Sequence, residues 1–227
     1  MVRKNVQLEK LNRSELHRYL GYKNTPDDIV RGIIDECEEK IISSVRPAYI
    51  WDYFDIEDKS IGISVEGTEL LLKGESIRKH LAGCHRAVLL CATLGVEADR
   101  LIRQTEIRDM AKALIMDTTA SVAIEQICDK AEQDIKECFS DCYMTYRFGV
   151  GYGDLSLNHE HLMLDILNAG KNIGLYSNES DILTPRKSVV CVIGLSDKPL
   201  KKGQKGCATC NMIDRCSYRK QGLSCST

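Results

Sequence analysis

The chain reads as an α+β protein, and three observations carry that reading. Two short runs, Ala87 to Leu94 and Val189 to Leu195, are almost continuously apolar, as strands buried on both faces are. The segment from Val96 to Phe139 holds neither proline nor glycine and carries helical periodicity. Strands and helices otherwise mix without the regular alternation of a doubly wound sheet.

The elements follow in order. Ser14 to Leu20 predicts a short helix, stopped by Gly21 in a left-handed conformation. Thr25-Pro26-Asp27-Asp28 predicts the start of a second helix, with an N-cap, a proline in the first turn and two carboxylates at the positive end of the dipole. Its inward face is expected to hold Ile29, Ile33, Ile34, Cys37 and Ile41. The aromatic run from Ala48 to Ile56 reads as extended, and Ile61, Ile63 and Val65 alternate as a strand does, with a turn at Gly67 before Leu70 to Leu72. Ser76 is the expected cap of a short helix ending near Gly83, followed by the apolar strand that carries Cys91. Within Val96 to Phe139, the sets Met110, Leu114, Thr118, Val122 and Ile124, Cys128, Ile135, Phe139 predict one or two long helices packed along these positions. An extended stretch near Cys142 to Phe148, a glycine-rich turn, a helix from about Leu157 to Asn168 and the strand entering at Ser188 complete the core.

Composition excludes several classes. A length of 227 residues predicts one domain with an appendage, divided here into residues 1–200 and a Cys-rich basic tail, residues 201–227. The 31 Lys and Arg nearly balance 33 Asp and Glu, for a net charge of -2, so no nucleic-acid partner is expected. The first residues carry positive charge with no apolar stretch behind them, and no apolar run approaches the roughly 18 residues needed to span a bilayer. A cytoplasmic protein with no membrane partner is the expectation. Eleven cysteines, unevenly spread, do not read as a secreted disulfide scaffold.

The densest glycine cluster is Arg147-Phe-Gly149-Val-Gly151-Tyr152-Gly153-Asp154. Glycines at alternate positions let a ligand approach the backbone, and a following helix start offers N–H groups to an anion. The spacing is not the dinucleotide fingerprint, and too little chain follows for such a sheet. As a plain tight turn the cluster needs no ligand at all.

Arg147-x-x-x-Gly151-Tyr152, the helix after it, Asn178-Glu179-Ser180 and the Pro185-x-x-Ser188-Val189 strand entry together resemble the activation domain of vitamin B12-dependent methionine synthase. The resemblance is nearest to stand-alone bacterial forms, which also open with a segment like Arg18-Tyr-Leu-Gly-Tyr22 and carry a strand like Gly83-Cys84 to Leu94-Gly95. It spans roughly residues 10 to 200. It implies an α+β fold with a twisted, mainly antiparallel sheet and long helices.

It also implies binding of S-adenosylmethionine and reductive methylation of cob(II)alamin, with the cobalamin carried by a methionine synthase partner that lacks its own activation domain. The chain would then be the reactivation subunit of a methyltransferase system rather than a complete enzyme. The resemblance carries over Arg147 as the fork for the ligand carboxylate, Gly149 and Gly151 as close backbone approaches, and Tyr152 as a ring lining the ligand. Glu125 is the best match for a family glutamate on the long helix, and Glu179 for a family Glu-Ser pair. As ordinary residues, Glu125 is a solvated helix carboxylate and Glu179 a loop or cap residue.

The chain departs from the large methionine synthase at its end, where that enzyme adds an aromatic residue to the ligand site. Here Cys207-x2-Cys210-x5-Cys216-x8-Cys225 places four thiols within 19 residues. That number suits structural zinc or an iron–sulfur cluster, and the thiols equally read as free or redox-active. A cluster would make the chain an electron-transfer activator of other corrinoid methyltransferases, and zinc a stabilised binding module. The basic residues Lys198, Lys201, Lys202, Lys205, Arg215, Arg219 and Lys220 read as a solvated tail or as a docking patch for flavodoxin or ferredoxin. The five histidines have no metal-ligand spacing and are expected to be locally satisfied.

Overall fold

The computed structural model describes residues 1–22, 24–200 and 215. Its centre is an antiparallel sheet in the order β4 (Leu71–Leu72), β3 (Gly62–Val65), β2 (Ala48–Lys59), β5 (Arg86–Thr93), β10 (Ser188–Ser196) and β6 (Tyr143–Met144). The short β1 (Val2–Asn5) joins β2, and β7 (Phe148–Gly149) joins β10 beyond β6. A separate hairpin pairs β8 (Tyr176–Ser177) with β9 (Leu183–Thr184).

Strand alternation splits the interior into two cores. One face of the sheet sends Tyr49, Trp51, Val88, Leu90, Ala92, Cys191 and Ile193 toward α1 (Arg13–Tyr19), α2 (Asp28–Ser44), α4 (Val96–Glu106) and α5 (Met110–Cys138). The other sends Ile50, Ala87, Leu89, Cys91, Val190 and Val192 toward α3 (Glu75–His80), α6 (His159–Ile166) and α7 (Ala169–Ile173). Both faces of β5 and β10 are therefore covered, which is why an antiparallel pair reads as two continuous apolar runs.

Several local expectations shift. The cap of α2 is Asp27, whose side chain accepts from Val30 N–H at 2.9 Å, so the helix begins after Pro26 rather than at it. Ile29 is then 78% exposed, while Ile34, Cys37 and Ile41 pack as expected. Ile61 lies in the turn before β3 and is exposed. Ser76 does not cap α3: the N-cap is Gly74, which has no side chain to use. In α5, Ile124, Cys128 and Ile135 are buried, but Met110 and Leu114 are 71% and 65% exposed. The physical reason is phase: Ala113, Ile115 and Met116 in the same turns are buried, so Met110 and Leu114, four apart, lie together on the outward face.

Among the described residues no helix is long and apolar enough to cross a membrane.

Candidate functional site

Arg147, Gly149, Gly151 and Tyr152 lie at the β7 edge of the sheet, with Glu125 on α5 beside Arg147. Cys191 of β10 pairs with Gly149 and Val192 with Phe148. Alternation sends Phe148 into the α6 core and leaves Arg147 on the α5 side. There Arg147 Nη2 donates to Glu125 Oε2 at 3.0 Å and Nη1 to Asp129 Oδ1 at 2.9 Å, with Glu132 Oε1 at 3.0 Å from Nη1. The three acids lie on successive turns of one helix, at i, i+4 and i+7. Nε of Arg147 takes part in none of these pairs.

The electrostatic balance is uneven. Three carboxylates meet one guanidinium, and Glu125 and Asp129 are 47% and 67% exposed in their side chains, so the excess negative charge faces outward. The Tyr19 phenol at the end of α1 feels that charge: its pKa is raised by burial first and by Glu125 second. Beneath the arginine, burial raises the Cys128 and Cys191 thiols far above the ordinary range, so both stay protonated. One turn toward the start of α5, Lys187 Nζ binds Asp117 at 2.9 Å and Ser121 Oγ at 2.8 Å, so a second cation ties the helix to the entry of β10.

The glycine turn is built by its own chain. Tyr152 N–H donates to Gly149 O at 3.2 Å, and the Tyr152 ring lies so close over Gly149 that an added Cβ would stand 2.8 Å from the ring. Gly151 has φ +87°, and a Cβ there would meet Leu157 at 2.7 Å. Intramolecular packing thus accounts for both glycines, while Tyr152 remains 71% exposed. The turn does not run straight into a helix: Leu155 is buried as an anchor, and α6 starts only at His159 with the carboxyl of Glu160 in its first turn. That end is no ready anion site.

Glu125 is brought to Arg147, and Tyr152 to Gly149. Glu179 is exposed in the β8–β9 turn, where Asn178 Oδ1 accepts from Ser180 N–H and Ile182 N–H. The His161–Asp181 pair at 3.1 Å ties that turn to α6, on the other side of the sheet from α5. Sequence reasoning missed Asp129, Glu132, Tyr19 and Lys187. The helical spacing of Asp129 and Glu132 from Glu125 was the available signal for two of them, whereas Tyr19 and Lys187 arrive only through packing. His159 is satisfied at both ring nitrogens, by Ser156 O and Leu71 O, and His161 by Ser177 and Asp181, as expected. Among the described residues no group of His, Cys, Asp or Glu is placed to hold a metal. Cys207, Cys210, Cys216 and Cys225 lie outside the described residues.

No known family profile matches the chain, and no curated protein matches it in sequence. Among solved structures, the crystal structure of the MetH reactivation domain bound to AdoHcy is similar, with a TM-score of 0.67 over 98% of this chain and 86% of that chain, at 12% identity. The chain shares the fold of that reactivation domain.

Proposed function

We propose that this chain binds S-adenosylmethionine at the α5–β7 edge and acts as an activation subunit. Its partner is a cobalamin-dependent methionine synthase without an activation domain of its own, on which it supports reductive methylation of cob(II)alamin. The observation that carries the proposal is the likeness in fold, along nearly the whole chain, to a reactivation domain bound to AdoHcy.

The residues at the edge fit the ligand in charge and shape. Glu125, Asp129 and Glu132 outnumber Arg147 and suit a cationic sulfonium and ammonium, while the Nε side of Arg147 suits the carboxylate. Gly149 makes room for the Tyr152 ring, and that ring, 71% exposed, offers a π-face to a cation. The bound S-adenosylmethionine supplies the methyl group. The chain's own work is to hold and orient it, a task that needs no general acid or base.

Calorimetry of the full chain with S-adenosylmethionine tests the reading. Binding is expected, with a loss of about tenfold or more in Arg147→Ala, the worth of one charge-assisted hydrogen bond. S-adenosylhomocysteine, which lacks the sulfonium charge, is expected to bind several-fold more weakly, and Glu125→Gln to narrow that difference. A wild-type chain that binds neither ligand, alone or with a corrinoid partner, would sink the proposal.

A further inference from the structure

The candidate site depends on a turn that holds Tyr152, and the contact that fixes that turn joins Asp154, at the end of the glycine cluster, to the start of α3. α3 has no cap of its own, because its N-cap is Gly74. The cap comes from 80 residues further along: Asp154 Oδ2 accepts from Glu75 N–H at 2.7 Å and Asp154 Oδ1 from Ser76 N–H at 2.9 Å. The fit is close on both sides. A Cβ on Gly74 would stand 2.6 Å from Asp154 Oδ1, and a Cβ on Gly153 would stand 2.6 Å from Ser76 Oγ. The two backbone hydrogen bonds, Ser76 first and then Glu75, hold the Asp154 carboxyl below its ordinary pKa, so it is an anion at neutral pH.

The neighbouring hydrogen bonds fix the rest of the turn: Gly151 N–H donates to Leu155 O at 2.9 Å and Leu155 N–H to Tyr152 O at 3.1 Å. Gly149 is held by β10 at one end, and Asp154 is held by α3 at the other. Between the two anchors stand only Val150 to Gly153, with an exposed tyrosine in the middle. A cap drawn from a neighbouring helix would serve stability alone if the turn faced nothing. Here the turn carries the Tyr152 ring over Gly149, two residues along the chain from Arg147.

We propose that Asp154 is the positioning residue of the ligand site: by capping α3 across the fold it locks the Gly149–Gly153 turn, and so sets where Tyr152 stands. The inference rests on the reading of this edge as an S-adenosylmethionine site. Asp154 is not a catalytic residue, since it acts through Tyr152.

Two measurements test it. In the ligand-free full chain, Asp154→Ala is expected to speed amide hydrogen exchange at Gly151, Tyr152 and Gly153 and leave α5 unchanged. Unchanged exchange in the turn would overturn the proposal whatever the ligand is. In calorimetry with S-adenosylmethionine, Asp154→Ala is expected to weaken binding by about threefold to tenfold, up to what an exposed-to-half-buried aromatic face contributes to a cation, with Asp154→Asn in between because it keeps one acceptor. In a Tyr152→Ala background the further loss on removing Asp154 should vanish. Lys4→Ala, which removes an ion pair on the β1 side of the sheet, serves as a stability control expected to lower Tm without changing affinity. Wild-type affinity in Asp154→Ala, or a full additive loss in the Tyr152→Ala background, would overturn the proposal. A wild-type chain that does not bind at all speaks instead against the function assigned above.

Discussion

Glu160 is the residue whose environment departs furthest from its chemistry. It is 4% exposed, and its buried Oε2 has no hydrogen-bond partner among the described residues. Burial, and then the Asp181 charge, push its carboxyl up to about 7, against a smaller opposing effect of His161. The sign of the pH dependence follows. Between about pH 4.5 and 7 the unfolded chain has released this proton and the folded chain still holds it, so stability falls as pH rises through that window. We expect Glu160→Gln to flatten the slope and to raise stability at pH 8 by on the order of 2 kcal/mol. Parallel melting profiles for the two proteins from pH 5 to 8 would contradict this. At the same scale, a neutral Glu160 and a charged Asp154 show two acids in one loop-and-helix segment kept in opposite states, one by burial and one by two backbone N–H groups.

At the scale of elements, α5 organises both the first core and the candidate site, and its two faces do different work. Met116, Ala120 and Ile127 are fully buried, whereas Met110 and Leu114 stand in the open. Leu114→Lys is therefore expected to change stability by less than about 0.5 kcal/mol, while Met116→Ala costs about 2 to 5 kcal/mol. Denaturant midpoints of the two variants check the contrast, and a large cost at Leu114 would show that this face of the helix is covered. The sequence carried the existence and order of β2, β5, β10, α2 and α5, because periodicity over long segments is set by burial. It did not carry the phase of α5's first turns, since an apolar residue at helical spacing looks the same whether or not the sheet reaches it. Nor did it carry the cap of α3, which required knowing that Asp154 comes to lie beside Gly74. The site was legible as far as Arg147, Gly149, Gly151 and Tyr152 share one short motif. Its acid ladder became visible once Glu125 was fixed in register, because Asp129 and Glu132 follow at one and two turns.

For the whole molecule, the decisive feature is a sheet covered on both faces, with the candidate site at the edge where Arg147, beside β7, meets α5. A reductive reaction consumes an electron, and four thiols within 19 residues suffice for an iron–sulfur centre or zinc. We expect the full chain, purified without oxygen, to carry one such centre. Cys207→Ser with Cys210→Ser should remove it and leave the affinity for S-adenosylmethionine unchanged, since every residue assigned to that site precedes residue 200. Metal analysis and visible absorption decide between the metals: iron with a charge-transfer band places the electron entry on this chain, and zinc makes the tail a structural module. A metal-free chain would mean that the electron reaches the cobalamin partner without passing through these cysteines.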